Sequence, residues 1–531
     1  MADNNKGRAR EVDAPAADGD HGEREGERGK MKKKELGEMR DDAYPPFFST
    51  IWDEFVAFNQ IPILRQELIT RNRLPKLLYP ARSRETERVT WLLEQQQRAT
   101  SSSWSSMRAH DHVLSSRPWS PVADILFYGA RSVGFAPYGD EWRRSRKVVA
   151  ARMLSARKVE SFRRGPLEEV RVVLAKIREA AAASADDGTG TGTAVDVSEL
   201  VSAYANDVVL GESHRAGGCN RMLMELVNMN VALLGGFNLE DYFPRLTRME
   251  LLRSQEAHLC TGREGPQEAQ QDQSSSDTTT TEDLIHVLLA AEEEYGLTRG
   301  NVKALLMETF QARSIESSYL VLDYAMAELM LNRHVMARLQ TEIRTTTPLL
   351  ASAGKKQDMV VMEEHLSKMP YLKAVVKETL RLHPPGPLLI PRLSTTDCDV
   401  NVCWIPAGTR IFVNAWALGR DPASWDRAEE FMPERFLEQE GSGSEAAATP
   451  DMKGTDFAFL PFGAGRRICP GINFGIATTE IMLANLMYHF DWKLQNEGTG
   501  GGVVDMSEVF GMALRRKEKL FLVPTIPASS G

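Results

Sequence analysis

Apolar residues recur every three to four positions over most of the chain, and the pattern strengthens after residue 107. Such spacing lays an apolar stripe along one helix face. It predicts helices at 142–163, 166–183, 220–234, 282–294, 298–332, 371–382 and 472–490. The 298–332 stretch is long for a globular helix. Breakers mark several ends. The loop 186–193 follows the second helix, Gly235-Gly236 stops the third, and His383-Pro384-Pro385 closes 371–382, because proline cannot extend a helix. Short β-type runs lie at 388–392 and 410–414, and 514–523 alternates like a strand or hairpin. Upstream the pattern is weak. Two amphipathic helices fit 49–68 and 82–99, and the serine-rich run 100–106 reads as a linker. The Gln-, Ser- and Thr-rich run 267–281 is of low complexity and is expected to be mobile. There is no internal repeat. The expected fold class is mainly α with a small β region.

The 531 residues allow one large domain or two to three ordinary ones. An apolar share of 42% suffices to bury a sizeable core. With 64 Lys and Arg against 73 Asp and Glu, the net charge of −9 argues against nucleic acid as the main partner. Five scattered cysteines (Cys219, Cys260, Cys398, Cys403 and Cys469) do not read as a disulfide framework, and a reducing compartment follows. Cys398 and Cys403 lack the second pair of a zinc site and are read as structural. Residues 1–44 are rich in Lys, Arg, Glu, Asp and Gly. They lack the apolar core of a signal peptide and read as a disordered, charged N-terminus. No stretch reaches the roughly 18 uninterrupted apolar residues of a membrane span.

The densest chemical signal is Phe459-Leu460-Pro461-Phe462-Gly463-Ala464-Gly465-Arg466-Arg467-Ile468-Cys469-Pro470-Gly471. A thiolate that ligates iron beneath a flat macrocycle needs backbone able to wrap closely, which glycines allow. It needs amide N–H groups aimed at sulfur and a cation for a carboxylate at the macrocycle's edge; Arg467 is spaced for the latter. A helix starting just past Cys469, with Pro470 at its first position, would favour the thiolate with its positive end. The alternative is a glycine-rich loop with a buried free cysteine. A second signal, Glu378-Thr379-Leu380-Arg381, puts acid and base on one helical face. Such a pair is most often solvated and worth little.

Phe462-x-x-Gly465-x-Arg467-x-Cys469-x-Gly471 matches the heme-binding signature of cytochromes P450, the heme-thiolate monooxygenases, and the chain resembles that family. With Pro461 and Arg466 to Gly471, it is similar to the plant microsomal, specialised-metabolism branch. The resemblance runs from about residue 107 to 524. It includes Ser116-Arg117-Pro118, Phe135-Ala136-Pro137-Tyr138-Gly139 and Asp421-Pro422. It implies the cytochrome P450 fold over a catalytic domain 107–531, after a segment 45–106 of uncertain character. It implies Cys469 as iron ligand, with Trp142, Arg146, Arg392, Phe462, Gly465, Arg467 and Gly471 holding heme b (iron protoporphyrin IX). It implies that Glu378 and Arg381 are buried and join Arg435, from Phe431-Met432-Pro433-Glu434-Arg435-Phe436, in a structural triad. The implied activity inserts one oxygen atom from dioxygen into a small apolar plant-type metabolite. NADPH electrons would arrive through an NADPH-cytochrome reductase, and the implied state is a monomer on the cytosolic side of the endoplasmic reticulum. Arg143, Arg144 and Lys147 are then either a solvated helix face or a docking patch for the reductase's acidic flavin domain.

The chain departs from the family in places. Oxygen-activating members carry Ala/Gly-Gly-x-Asp/Glu-Thr in the helix above the heme, where the glycine opens a groove and the acid and alcohol relay protons. Aligned on Phe310, this chain reads Gln311-Ala312-Arg313-Ser314-Ile315-Glu316-Ser317-Ser318. Arg313 stands at the glycine, Ile315 at the acid and Glu316 at the alcohol. A guanidinium there is costly to bury unpaired. A one-residue shift makes Glu316 the acid and Ser317 the alcohol. Two other readings stay open: a peroxide-rearranging heme-thiolate enzyme that needs no reductase, and a heme-binding remnant with impaired catalysis. The family's anchor, proline-rich hinge and first β-sheet have no counterpart before Met107, so a cytoplasmic or peripheral location is also open. Asp207-Val208-Val209 runs into Leu210-Gly211 where more residues are expected.

Overall fold

Helix α1 (Asp140–Val148) begins two residues before the apolar pattern does, with Asp140 and Glu141 in its first turn and Arg146 and Lys147 in its last. Carboxylates at the positive end and cations at the negative end both stabilise it. Past Val148 a π-helical turn, Val149–Met153, takes over and buries Val149 and Met153, and residues 155–163 of the predicted stretch lie outside the described ones. The computed structural model describes residues 109–154, 164–186, 193–210, 230, 233–235, 284–309, 317–347, 360–400, 403–437, 450–495, 504–509 and 511–527. All lie in the unit Gln60–Gly531. The expectations for 1–44, 45–106 and 267–281, and for most of 220–234, fall outside the described residues.

Helices α2 (Arg164–Asp186) and α3 (Val197–Leu210) follow, then α4 (Leu284–Tyr295) and α5 (Arg299–Thr309). Thr298 starts α5: its hydroxyl oxygen accepts the Asn301 N–H at 3.2 Å, satisfying a donor the first turn leaves free. Helix α6 (Ser317–Leu331) resumes the predicted 298–332 stretch; residues 310–316 lie outside the described ones. Helices α7 (Arg333–Thr346), α8 (Pro370–Leu382) and α9 (Ile472–His489) complete the framework. Proline at the first position of α8 costs no hydrogen bond there. Helix α9 starts at Ile472 with Gly471 as its cap, so Pro470 lies before the helix and not at its first position.

Helix α6 has no polar face. Every residue from Leu320 to Met330 is buried, and α3, α8 and α9 pack around it. A helix apolar all round is a core helix. Its two buried acids have partners in place: Asp323 meets Arg516 at 2.7 Å, and Glu328 meets His383 at 2.8 Å. The strands are short and antiparallel. In one sheet β9 (Phe521–Thr525) lies between β1 (Val195–Asp196) and β6 (Asp491–Leu494). Pro524 pairs only with Trp492 of β6, beyond the end of β1, where its missing N–H breaks no ladder. Strands β2 (Arg392–Leu393) and β5 (Arg410–Ile411) pair, as do β3 (Cys398–Val400) and β4 (Cys403–Ile405). Cys398 is buried with Val113, Leu114 and Ile411, a structural position. The stretch 514–523, expected to be a strand or hairpin, contributes strands but no hairpin of its own. Strand β8 (Arg515–Arg516) pairs back to β7 (Glu508–Val509), whereas β9 joins the other sheet.

One buried group makes stability depend on pH. On α9, burial pushes the Glu480 carboxyl up to about 7, against the pull of Lys373 and Lys377 from α8. The folded chain therefore holds this proton more tightly than the unfolded chain, whose value is near 4.5. Stability falls as pH rises between those values and is flat above them. Glu480→Gln is expected to raise the melting temperature at about pH 8, by the equivalent of about 2–3 kcal/mol, with the gain vanishing towards about pH 4. Thermal melts across that range check it; a gain independent of pH would refute it.

Candidate active site

The Cys469 loop hangs from an aromatic anchor. Phe459 is buried against Trp425 and Phe436. Past it the chain turns sharply, with Gly463 and Gly465 at φ +71° and +68°, a region glycine enters without strain. Gly465 is needed twice over, because a Cβ there would lie 2.3 Å from the Asp111 carboxylate. The half-buried Phe462 offers its carbonyl to the Cys469 N–H at 3.0 Å, and the Gly471 N–H donates to Sγ at 3.3 Å. Cys469 keeps accessible surface, yet protein surrounds the sulfur so closely that burial pushes the thiol up. The Gly471 N–H and Arg146 pull the other way.

Cations gather beside this loop. Arg467 donates to the carbonyls of Ser115, Val133 and Ala136 at 2.6, 3.0 and 2.7 Å, and its guanidinium stacks on Trp142 at 4.3 Å. The Trp142 indole N–H goes to the Val133 carbonyl at 2.9 Å. Arg392 bridges Asp111 at 3.0 Å and the Ala464 carbonyl at 2.6 Å. Arg146 reaches the Ile468 carbonyl at 2.6 Å, next to the cysteine. Arg117 holds the carbonyls of Gly134, Ile390 and Pro391. Burial, then neighbouring guanidiniums, push Arg467 down to about 9 and Arg117 well below its usual range. Among the described residues, the carboxylates sharing this cluster are Asp111 and Glu308. Cations crowded out of water with too few carboxylates call for a further anion.

The pair Glu378–Arg381 is not a surface pair: the two residues are 0% and 1% exposed. Arg381 donates to Glu378 at 2.8 and 2.7 Å, and Arg435 adds a third contact at 3.1 Å. The Met432 N–H fills the remaining acceptor site at 2.7 Å. Of the residues expected to relay protons, Glu316 lies outside the described residues. Ser317 is the first residue of α6. Its neighbour Ser318 lies 3.7 Å from where a Cβ on Gly475 would sit, so the start of α6 meets the first turn of α9. The basic run divides by direction: Trp142 and Ser145 point inward, while Arg143, Arg144 and Lys147 are exposed. Sequence reasoning missed Asp111, Arg117 as a site residue, and Glu308. Asp111 stands just ahead of Ser116-Arg117-Pro118, a signal that could have drawn attention to it. Glu308 carried none.

The cytochrome P450 family model matches residues 105–520. The chain belongs to the cytochrome P450 family. It is similar to 3-hydroxyindolin-2-one monooxygenase of Zea mays, 52% identical over 79% of this chain and 78% of that one. Indolin-2-one monooxygenase of the same species is 51% identical over the same shares. A zebrafish cytochrome P450 solved with abiraterone matches with a TM-score of 0.60 at 21% identity, covering 80% of this chain and 92% of that one. That likeness concerns the fold. As a cytochrome P450 the chain is an oxidoreductase, a heme-thiolate monooxygenase acting on small plant-type metabolites. It uses heme b and NADPH electrons delivered by a reductase. Plant members are typically associated with the endoplasmic reticulum. Among the described residues no helix is long and apolar enough to cross a membrane.

The residues present fit heme. The iron would supply the cation that a desolvated Cys469 sulfur lacks, and the propionates would supply the anions that the arginine cluster lacks. The triad has a separate task, since all its polar atoms are taken by protein. Glu378→Gln would leave Arg381 and Arg435 without a carboxylate. It is expected to cost about 3–5 kcal/mol of folding stability. Urea denaturation checks this; a midpoint equal to wild type would sink the structural role.

Proposed function

We propose that this cytochrome P450 oxidises a small bicyclic nitrogen heterocycle of the indole class. The observation that carries this reading is the 52% and 51% identity to two enzymes whose names specify indolin-2-one substrates, each over 79% of the chain. A third relative, 45% identical, is an indole-2-monooxygenase. The catalytic domain is residues 107–531, acting as a monomer at the cytosolic face of the endoplasmic reticulum. Cys469 ligates the iron. Arg146, Arg392 and Arg467, with Trp142, hold the propionates, while Phe462, Gly465 and Gly471 shape the loop beneath the ring. Bound heme supplies the iron chemistry that places one oxygen atom of dioxygen on the substrate. Glu316 and Ser317 deliver protons to the oxygen site, standing in for the acid and alcohol displaced by Ile315 and Glu316. Arg143, Arg144 and Lys147 face solvent and form the docking patch for the reductase's acidic domain, an attraction that salt weakens.

The test is turnover of indole and indolin-2-one by the heme-loaded protein with reductase and NADPH, beside a terpenoid of similar size. A monooxygenated heterocycle is the expected product. Oxidation of the terpenoid alone would overturn the substrate class. Activity with a lipid hydroperoxide but none with NADPH would make the chain a peroxide-rearranging enzyme, a reading that Arg313 and Ile315 favour. In the same assay, Arg313→Gly combined with Ile315→Asp is expected to raise product formation by about 100-fold, the lower end of what a positioned proton donor contributes.

A further inference from the structure

The loop between Ser132 and Ala136 is gripped from two sides by groups of opposite charge. Its carbonyls face cations and one indole N–H: Val133 accepts from Arg467 and from Trp142, Gly134 from Arg117, and Ala136 from Arg467. Its amides face one carboxylate. The Val133 N–H donates to Glu308 Oε2 at 2.6 Å, and the Gly134 N–H to Oε1. Glu308 is the penultimate residue of α5, so this carboxylate ties the loop to a separate helix. The fit is tight enough to dictate a neighbour. A Cβ on Gly134 would lie 2.7 Å from Oε1 and 3.2 Å from the Ile390 side chain.

We propose that Glu308 is the positioning residue of the heme-edge cage. By accepting both amides it fixes the loop whose carbonyls aim Arg467, Arg117 and Trp142. The proposal rests on the reading of Arg467 and Trp142 as heme contacts. A carboxylate suits the task because it accepts at both oxygens. A glutamine in its place accepts at one and sets its own N–H₂ against the other amide. The opposed charges also matter, since amides held by an anion and carbonyls held by cations are charge-assisted bonds at both ends. Glu308 lies in the stretch Arg299–Thr309, which carries none of the residues expected to hold heme; it reaches the cage through the loop, and its charge is also felt by Arg117, Arg146 and Arg467.

The experiment compares heme-loaded wild type with Glu308→Gln, Gly134→Ala and Arg467→Gln. The rate of heme release to an apoglobin scavenger is measured, along with amide exchange over residues 132–136 and the carbon monoxide difference spectrum. Glu308→Gln should release heme about tenfold faster, the worth of one charge-assisted hydrogen bond. Gly134→Ala should match it, because it leaves the carboxylate chemically intact but displaces it. Val133 and Gly134 amides should exchange faster in both. The reduced, carbon monoxide-bound protein should keep its thiolate band, because the Cys469 loop is untouched. Wild-type heme release in Gly134→Ala overturns the proposal, whether or not Glu308→Gln folds. Loss of the thiolate band overturns it too, by placing the effect on the cysteine loop. Arg467→Gln separates the two readings. If it does not speed heme release, the cage itself is wrong; if it does while Gly134→Ala does not, only the role of Glu308 fails.

Discussion

Glu378 is a carboxylate shielded from water, and Arg381, Arg435 and one backbone amide replace its hydration. An ion so placed is tolerable only with every partner present. Arg381 extends the requirement, because it also donates to the carbonyls of Gly419, Ala428 and Glu430. Helix α8 and the loop ahead of Arg435 are thereby held in one arrangement. From α8 the chain runs through His383 to Arg392, which bonds both Asp111 and the carbonyl of Ala464 in the Cys469 loop. The position of the sulfur thus descends, through a short series of polar contacts, from a single buried charge cluster.

The triad and the arginine cluster differ in kind. The triad is closed, with protein groups meeting each of its hydrogen-bonding needs, so its role is to hold. The arginine cluster beside Cys469 is open: burial and mutual repulsion depress Arg467 and Arg117. Unrelieved electrostatic cost of this sort marks a place where a ligand completes the structure. On the proposed site heme would do so at both ends, with iron for the sulfur and propionates for the guanidiniums. Glu308 and Asp111 supply the negative charge that keeps the cluster bearable and in register.

Membership of the cytochrome P450 family and the departures in 311–316 are compatible in physical terms. Core packing of α6 runs from Leu320 to Met330, beyond the altered residues in sequence. On the proposed relay, substitutions there bear on proton delivery and on space for dioxygen. An intact thiolate loop, cage and triad therefore say little about how fast such an enzyme turns over.

Much was legible in the chain itself. The cysteine loop could be read because a thiolate wrapped beneath a macrocycle demands glycines and a cation at fixed spacing, and such local demands leave a mark in local sequence. Helices 371–382 and 472–490 could be read for the same reason, since proline and apolar period act over neighbouring residues. What only the tertiary structure decided were the long-range partners. Nothing near Glu308 announces that it will meet the amides of Val133 and Gly134, some 174 positions away. Nothing in 514–523 says that β8 and β9 will part to different sheets. The spacing of Glu378 and Arg381 suits a solvated surface pair as well as a buried one. Burial settles it, because the energy of a charge pair depends on the dielectric around it, and that is a property of the folded whole.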